Sequence, residues 1–465
     1  MNASDEADLI VIGAGLAGHS AALAAAEAGA RVLVLEKEPR SGGSTVLSGG
    51  FFALAGTGQQ RAAGITDTPD LLLRDLIAVG GTDIERPLVE AYAAGQAEFI
   101  DWLQGSGAAF TAQELSAGQS VARSHRCDTS ELLAHMARKM DATGRVGWMR
   151  NTNAIRLLRE GGSGPVTGVA SRNGAGGERD LRATGGVVIA TGGFSRSEEL
   201  LRIFAPAQAG ALRVGGEGST GDGLRMAWRL GAGLRDMGQV KGTFGTHPST
   251  GTERHEILLA FYVGAIIVNR EGRRFVDESD SYKIIGDACL GQTDRVGFQI
   301  FDQTVMDRSD PGVPLFDFEP ALARGLLVRS DTLAALAEAT GIPPGSLEDT
   351  VAEYNGGVQA GCDRAFARRG LCNGAGERPP VAIPPFYAYP STSVVLATYC
   401  GLHVAADGQV RDVDGQDIEG LFAAGEVTGG FHGRSYMTGS SLGKAAFFGR
   451  AAGRAAAARA RQMAR

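Results

Sequence analysis

The sequence predicts an α/β protein built on a parallel sheet, with a second, α+β domain inserted into the first. Short apolar runs at residues 8–13, 31–37, 185–193 and 419–430 are typical of buried parallel strands. The alanine-rich segment 16–29 joins the first two runs and ends in glycine, as a helix with a glycine cap does. A chain of 465 residues is also too long for one ordinary hydrophobic core, so two domains are expected.

The middle of the chain differs in character from both flanks. It contains a single apolar strand at 264–269, a more polar helix at 331–340 and a proline-rich stretch at 378–390. We interpret the proline-rich stretch as the linker that leaves the inserted domain. The predicted limits are 1–241 for the first part of the discontinuous domain, 242–390 for the inserted capping domain and 391–465 for the second part.

Composition excludes several classes of function. A net charge of −7 argues against a nucleic acid or an anionic membrane as partner. No apolar run reaches the length of a membrane span, and the first residues lack the basic region of a signal peptide. The five cysteines are scattered without a C-x-x-C pair, which predicts reduced thiols in a cytoplasmic protein and no metal site.

A glycine fingerprint lies between the first predicted strand and the first helix. Gly13, Gly15 and Gly18 form G-x-G-x-x-G, and Glu36 closes the second strand where an acid accepts ribose hydroxyls. The three glycines permit a tight turn, a close approach of backbone to a pyrophosphate, and close packing of helix on strand. The helix N-terminus offers N–H groups and a partial positive charge to the phosphates. This unit predicts a Rossmann-like dinucleotide site, for either NAD or FAD.

Three later segments favour FAD. The first is the glycine- and hydroxyl-rich loop at 41–50, which can pass under an isoalloxazine ring. The second is the strand end at 190–194 with the sequence ATGGF, and the third is GLFAAGEV at 420–427. In the third segment, Glu426 is a candidate for binding the ribityl chain.

Together these segments resemble the soluble members of the fumarate reductase/succinate dehydrogenase flavoprotein family. Over nearly the full chain, the resemblance is carried by GAGLAG, EKEPRSGGSTVLSGG, ATGGF, STGDGLRMAWRLGA, THPS, GAIIVNREGRRFVDES and AAGEVTGGFHGRSYMTGSSLGKAAFFGR. Membrane-bound members attach flavin through a histidine in the early glycine loop; Gly43 stands at that position, so FAD is expected to bind noncovalently. The other FAD contacts expected are Ala17, Lys37, Ser44, Gly49, Gly50, Ala154, Thr191, Gly192, Asp222, Gly425, Ser441 and Leu442.

The chain departs from that family at the substrate arginines. Tyr282 stands where the resemblance places a proton-donating arginine, and Leu258 and Phe261 replace the Glu and Arg that supply it. Tyr436 replaces the arginine that clamps a substrate carboxylate, four residues after His432. Tyrosine is neither permanently charged nor bidentate, so we do not expect fumarate reduction. Arg434 lies two residues before Tyr436 and would point elsewhere.

Two tyrosines beside a flavin instead resemble the ketosteroid dehydrogenases of the same superfamily. That resemblance makes Tyr282 the base that removes an α-proton and Tyr436 the residue that polarises the ketone. The N–H of Gly439 or Ser440 is expected to assist Tyr436. His247 matches a family substrate-binding histidine and is expected to receive a carboxylate or carbonyl oxygen.

The preferred prediction is FAD-dependent α,β-desaturation of a cyclic ketone, with the small keto acid 4-oxocyclohexanecarboxylate ahead of a 3-ketosteroid. The alternatives are an enoate reductase of the fumarate type and a flavoprotein electron carrier. The sequence leaves open the electron acceptor (oxygen, a quinone or another), the group that activates Tyr282, and the roles of Tyr399 and Arg123. His432 is expected to be a structural turn residue.

Overall fold

The computed structural model describes residues 6–174, 176–251 and 256–465. It contains two compact units, and each is described by itself. The first comprises the chain up to Ala205, Gly215–Val240 and Ala397–Arg465; the second comprises Pro206–Val214 and Lys241–Leu396. The domain limits predicted from the sequence, 1–241, 242–390 and 391–465, stay a prediction.

In the described part of the chain the helices, named α1 to α14 in chain order, are Leu16–Glu27, Gly58–Ala62, Pro69–Gly80, Arg86–Ala94, Gln96–Gly105, Thr129–Thr143, Glu198–Phe204, Asp222–Trp228, Tyr282–Leu290, Gln303–Met306, Glu319–Ala323, Leu333–Thr340, Pro344–Gln359 and Ser440–Met463. Among these helices, none has both the length and the apolar character that a membrane crossing requires.

The strands of the same residues, named β1 to β21 in chain order, are Glu6–Ala7, Leu9–Ile12, Val32–Leu35, Phe51–Ala53, Phe110–Glu114, Ser124–Cys127, Val146–Met149, Thr152–Arg159, Val166–Asn173, Glu178–Ala183, Val187–Ile189, Leu212–Arg213, Leu234–Arg235, Thr243–Thr246, Ile266–Val268, Gly297–Asp302, Val328–Ser330, Phe386–Val395, Gly401–Leu402, Gln409–Arg411 and Asp417–Ala423.

The central sheet of the first unit has the strand order β20-β21-β11-β2-β3-β7, and the strands from β21 to β7 are parallel. Every residue of β2 and β3 is buried, as expected in a parallel sheet covered on both faces. The strands predicted far apart in the sequence are therefore neighbours, which confirms that part of the prediction. Because the carboxyl ends of parallel strands meet at one edge, the loops after Ile12, Ile189 and Ala423 lie side by side.

Helices α1 and α14 pack closely through small residues. A Cβ on Gly449 would lie 2.4 Å from the carbonyl oxygen of Ala17, and a Cβ on Gly453 would lie 2.1 Å from that of Ala21. These distances are shorter than a carbon–oxygen contact allows, so the two helices approach this closely only because the side chains are absent. This packing fixes the position of the N-terminus of α14.

The second unit is built on a mixed sheet around β18. Strand β18 pairs with β16, β17, β14 and β12. The prediction of a linker at 378–390 is therefore wrong for its last five residues, which form the first half of β18. Pro390 lies opposite Phe298 of β16 and between the residues that pair with β17 and those that pair with β14, so its missing N–H affects neither of the latter two pairings.

Gly453→Ala is expected to lower the free energy of unfolding by about 1–3 kcal/mol, because the added methyl group forces α14 away from α1. Gly356→Ala is the matched control, since Gly356 is exposed in α13 and a Cβ there would meet nothing within 4 Å. Alanine favours a helix over glycine by about 1 kcal/mol, so the control should gain stability. Urea unfolding followed by circular dichroism measures both; equal losses would contradict the packing account.

Candidate active site

The glycine turn between β2 and α1 has the geometry of a phosphate cradle. Gly13 has a φ of 102°, and a Cβ on it would lie 2.4 Å from the carbonyl oxygen of Ala190. A Cβ on Gly18 would lie 1.9 Å from the carbonyl oxygen of Gly13, so helix and strand meet only through glycine. At Gly15, in contrast, the nearest atom to a Cβ would be the Thr45 hydroxyl at 3.5 Å, which leaves room for a ligand.

Glu36 directly follows β3, next to this turn. Its carboxylate accepts the N–H of Ala14 at 2.8 Å and the N–H of Glu38 at 2.9 Å, so both oxygens are held in place. The N–H of Thr152 donates to the Glu36 carbonyl, which brings β8 and the predicted contact Ala154 to the same edge. This arrangement fits the ribose of the adenosine half.

Further predicted contacts come together from distant parts of the sequence. Lys37 donates to Asp222 at 2.7 Å and to Thr220 at 2.6 Å. The two predicted contacts Lys37 and Asp222 therefore form an ion pair. Ser44 accepts the N–H of Gly216 at 3.0 Å, which joins the early glycine loop to the segment before α8.

The fit to FAD is supported by buried hydroxyls that lack a partner. Among the described residues, the hydroxyls of Ser41 and Thr191 are buried and have no hydrogen-bond partner. Gly43 has a φ of 49° and open space around its Cβ position. Buried hydroxyls are ordinarily satisfied, so these groups indicate a polar ligand along the loop.

Glu426 follows β21 at the same sheet edge. It accepts the N–H of Thr398 at 2.8 Å, and burial raises the pKa of its carboxyl. A Cβ on Gly193 would lie 2.3 Å from the Oε1 of Glu426, and a Cβ on Gly425 would lie 2.8 Å from the Cβ of Ala17. Gly192 stands beside Gly193 in the loop after β11, so the predicted contacts of the two strand ends are adjacent.

The early glycine loop and the start of α14 hold the remaining predicted FAD contacts. Gly49 and Gly50 precede β4, and a Cβ on Gly50 would lie 2.1 Å from the Cys127 carbonyl oxygen. Ser441 and Leu442 lie in the first turn of α14, where backbone N–H groups and the helix dipole favour an anionic or polar ligand atom.

Tyr436 lies immediately before α14 within an aromatic cluster. Its hydroxyl accepts the N–H of Gly439 at 3.0 Å, and burial raises its pKa to about 12. Its ring stacks on Tyr399, with centroids 4.6 Å apart, and lies 5.4 Å from the ring of His432. The N–H of Ser440 donates to the Met437 carbonyl, so both N–H groups expected to assist Tyr436 already donate within this turn.

Tyr399, whose role the sequence left open, and His432, which was expected to be a turn residue, belong to this cluster. Tyr399 has a φ of 56°, a left-handed conformation that is strained for a tyrosine. His432 contacts the edge of Tyr399 at 5.1 Å and approaches the Ser440 hydroxyl through Nδ1 at 3.4 Å. Strained backbone concentrates at functional sites, which favours a functional position for Tyr399.

In the second unit, Tyr282 is the first residue of α9. Its N–H donates to the hydroxyl of Tyr262 at 2.9 Å, and that hydroxyl donates to the carbonyl of Asp280 at 3.0 Å. Burial raises the pKa of Tyr262 well above the ordinary range, so Tyr262 stays a neutral donor. The chain Tyr282–Tyr262–Asp280 fixes the backbone from which the Tyr282 side chain extends.

His247, also in the second unit, is a neutral donor. Its Nδ1 accepts the N–H of Ser249 at 3.2 Å and approaches the Ser249 hydroxyl at 2.7 Å. Burial lowers the pKa of His247, with partial opposition from Glu256, so the proton of the neutral ring lies on Nε2. His247 can thus offer one N–H to an oxygen, without a charge.

Leu258 and Phe261, which stand at the family positions of a Glu and an Arg, are apolar, and Arg434 is exposed. Leu258 and Phe261 are buried, at 4% and 0% exposure, and cannot relay a proton. Arg434 is exposed, with its guanidinium 3.5 Å from the Ala78 carbonyl oxygen. Arg123, whose role was left open, is fully buried and forms an ion pair with Asp67 at 2.9 Å, which indicates a structural role.

Sequence reasoning missed Lys444, which is only 2% exposed in the second turn of α14. Its ammonium donates to the carbonyl of Thr428 at 2.6 Å and lies 5.9 Å from the Phe431 ring. Burial lowers the pKa of Lys444 to about 8, opposed by Asp236 and Glu426. The signal in the sequence is a single charged residue in the run SSLGKAAFFG at 440–449.

The contribution of Lys444 to the free energy of unfolding should rise with pH between about 8 and 10.5, because unfolded Lys444 holds a proton that the folded chain has released. The rise is up to about 3 kcal/mol, and Lys444→Met should abolish it. Urea unfolding of both proteins at the two ends of the window measures the difference. Lys139→Met, at a partly exposed lysine, should keep the wild-type dependence; identical pH dependence in all three proteins would refute the assignment.

Comparison with known proteins shows the family of the chain. A family model described as an FAD binding domain matches residues 8–442. Urocanate reductase of Eggerthella lenta is 35% identical over 469 residues, covering 97% of this chain and 75% of that protein. Fumarate reductase (cytochrome) of Shewanella frigidimarina is 33% identical, covering 97% and 77%.

A solved structure of 3-ketosteroid Δ4-(5α)-dehydrogenase from Rhodococcus jostii, in complex with 4-androstene-3,17-dione, matches with a TM-score of 0.78 and 27% identity, covering 97% of both chains. The FAD predicted from the glycine segments is thereby confirmed. The chain belongs to the FAD binding domain family, as an FAD-dependent oxidoreductase of the fumarate reductase and ketosteroid dehydrogenase type.

Proposed function

We propose that this oxidoreductase desaturates a cyclic ketone at its α,β-position, with Tyr282 as base and Tyr436 as the donor to the ketone oxygen. The observation that carries the proposal is the hydrogen bonding and protonation of the Tyr436 hydroxyl. Its hydroxyl accepts a backbone N–H beside the N-terminus of α14, and its pKa of about 12 keeps the proton on the oxygen near neutral pH. A neutral hydroxyl that already accepts one hydrogen bond is a donor suited to a carbonyl oxygen.

The proposed chemistry divides between the two tyrosines. Tyr436 donates to the ketone oxygen and stabilises the negative charge that develops there as the α-proton leaves. Tyr282, as phenolate, takes that proton, and the new double bond forms as the β-carbon loses a hydride. FAD, when bound, supplies the hydride acceptor. The ketone itself is retained: one C–H bond breaks at the α-carbon as a proton leaves, one breaks at the β-carbon as a hydride leaves, and the bond between the two carbons becomes double.

The preferred substrate remains a small keto acid such as 4-oxocyclohexanecarboxylate. His247 offers a neutral N–H, which can hold one carboxylate oxygen, while the two positions of the family arginines are tyrosines. A carboxylate held by one neutral donor is bound less strongly than one clamped by arginine. A 3-ketosteroid is the alternative, supported by the 27% identity to a ketosteroid dehydrogenase over 97% of both chains.

A second candidate is reduction of an enoate, because the fumarate and urocanate reductases are more similar in sequence, at 33% and 35% identity. Against it stand the buried, apolar Leu258 and Phe261, which offer no proton to a substrate carbon. The electron acceptor that reoxidises the flavin after desaturation, oxygen, a quinone or another, stays open.

Anaerobic mixing with 4-oxocyclohexanecarboxylate or a 3-ketosteroid should bleach the visible flavin absorbance of the wild-type holoenzyme. Tyr282→Phe should slow bleaching by about 100-fold or more, because the base is lost. Tyr436→Phe should slow it by about 100-fold, because ketone polarisation is lost. Both variants should retain FAD.

Tyr354→Phe is the control, because Tyr354 is also a buried tyrosine, with its hydroxyl on the Pro379 carbonyl at 3.0 Å. It should bleach at the wild-type rate. Failure of every ketone to bleach the flavin, together with reoxidation of the reduced enzyme by fumarate or urocanate, would replace desaturation by enoate reduction.

A further inference from the structure

The peptide group between Thr438 and Gly439 connects Tyr436 to a buried side chain outside its own turn. Its N–H belongs to Gly439 and donates to the Tyr436 hydroxyl at 3.0 Å. Its carbonyl belongs to Thr438 and accepts a hydrogen bond from Nε2 of Gln119 at 2.9 Å. Because a peptide group is planar, the direction of the carbonyl also fixes the direction of the N–H. Gln119 therefore acts on the hydrogen bond to Tyr436 across one rigid unit.

The amide of Gln119 is buried and has a defined orientation. The residue is 3% exposed. Its Nε2 also donates to the Ser124 hydroxyl at 2.7 Å, and its Oε1 accepts the N–H of Ser116 at 3.1 Å. The Thr438 carbonyl can only accept and the Ser116 N–H can only donate, so a single orientation of the amide satisfies both. The group that contacts the peptide carbonyl is therefore the donating end of the side chain.

The segment that carries Gln119 is itself anchored. Ser120 donates to the Asp75 carboxylate through its N–H and through its hydroxyl, each at 2.7 Å. Arg123 forms ion pairs with the same carboxylate and with that of Asp67, both at 2.9 Å. These contacts give the buried Arg123 a structural role, and they make the backbone around Gln119 a fixed support.

The neighbouring peptide groups of the turn are held by backbone. The N–H of Thr438 donates to the Ala117 carbonyl at 3.1 Å, and the carbonyl of Gly439 accepts the N–H of Ala53 at 3.0 Å. Gly439 has a φ of 84°, and a Cβ on it would lie 2.7 Å from the Ala53 nitrogen. The turn therefore lies against backbone of β4 and of the Gln119 segment, and Gln119 adds a side-chain contact to the peptide that faces Tyr436.

A hydrogen bond to the carbonyl of a peptide also changes its N–H. Hydrogen bonds in a chain polarise one another, so an N–H whose carbonyl already accepts a bond is a stronger donor. Burial raises the pKa of Tyr436 to about 12, and the N–H of Gly439 opposes that rise. A hydroxyl whose oxygen accepts a stronger hydrogen bond is in turn a stronger donor to a ketone oxygen.

We propose that Gln119 is a positioning residue for Tyr436, because through the peptide group 438–439 it orients and polarises the N–H that donates to the Tyr436 hydroxyl. The catalytic meaning of this contact rests on the proposed function, in which Tyr436 donates to the ketone oxygen. Its physical basis is the pair of hydrogen bonds made by the one peptide group.

The direct test places 3,5-difluorotyrosine at position 436 of the holoenzyme and follows its ionisation by fluorine NMR as the pH is raised. The fluorine atoms lower the pKa of the phenol and bring its titration into a range where the protein stays folded. Gln119→Met keeps the length of the side chain but loses the donor, and it should raise the midpoint by about 0.5–1 pH unit. An unchanged midpoint in Gln119→Met would overturn the inference.

Two control variants separate this effect from a general loss of packing. Ser124→Ala removes the other acceptor of Nε2 and leaves the bond to the peptide carbonyl, so the midpoint should move much less than in Gln119→Met. Gln299 of the second unit is a buried glutamine with the same pattern of contacts, its Nε2 on the Leu258 carbonyl and on the Ser391 hydroxyl, both at 2.8 Å. Gln299→Met should leave the midpoint unchanged. A shift in either control as large as that of Gln119→Met would refute a specific action on Tyr436.

Flavin reduction by the ketone provides the second readout. Gln119→Met should slow bleaching at saturating ketone by about 5–10-fold, and should change the half-saturating concentration less, because the bond to the ketone oxygen strengthens as the α-proton leaves. FAD content and thermal unfolding verify folding. Gln119→Asn, which is shorter by one methylene, replaces Gln119→Met if the latter does not fold.

The two readouts distinguish the positioning role from the proposed function. A fluorine shift without bleaching by any ketone would refute desaturation and leave the effect of Gln119 on Tyr436 standing. Bleaching by a ketone with an unmoved fluorine midpoint would refute the role of Gln119 alone.

Discussion

The close approach of α1 to β2 and to α14 is the constraint on which the first unit depends. Three backbone contacts, at Gly18, Gly449 and Gly453, leave no space for a Cβ. They hold α1 between the sheet and the last helix, and this fixes the N-terminus of α14 at the edge where the loops after β2, β11 and β21 meet. The turn that ends at Gly439 then presents its N–H to Tyr436. The same packing thus positions both the fingerprint turn and Tyr436.

The two tyrosines occupy different environments. Tyr436 is buried among aromatic rings, and its pKa of about 12 keeps it a hydrogen-bond donor. Tyr282 is the first residue of α9, and its N–H donates to the hydroxyl of Tyr262. The proposed roles of base and ketone donor come from the resemblance to the ketosteroid dehydrogenases, and the surroundings of Tyr436 support the second of these roles.

Strands β2, β3 and β11 of the nucleotide-binding sheet could be predicted because each is a short, wholly apolar run. β18 could not, because Pro384 and Pro385 precede it and Pro390 lies within it, and prolines at this density indicate a linker. The pairing of Lys37 with Asp222 and the cluster of Tyr399 with Tyr436 join residues far apart in the chain. Lys444 was missed for a related reason: a lone lysine in a sequence is normally exposed, and only the tertiary structure reveals burial.

The replacement of the two family arginines by tyrosines fits the proposal of a substrate less anionic than fumarate. An arginine that contacts the substrate is charged at every accessible pH and favours a carboxylate. The buried ammonium of Lys444 donates to the Thr428 carbonyl, one helical turn into α14, and its pKa of about 8 allows it to lose its charge. Under the proposed function, a dicarboxylate lacks the two charged partners, whereas a tyrosine hydroxyl still donates to a ketone oxygen and stabilises the negative charge that develops when the neighbouring proton leaves.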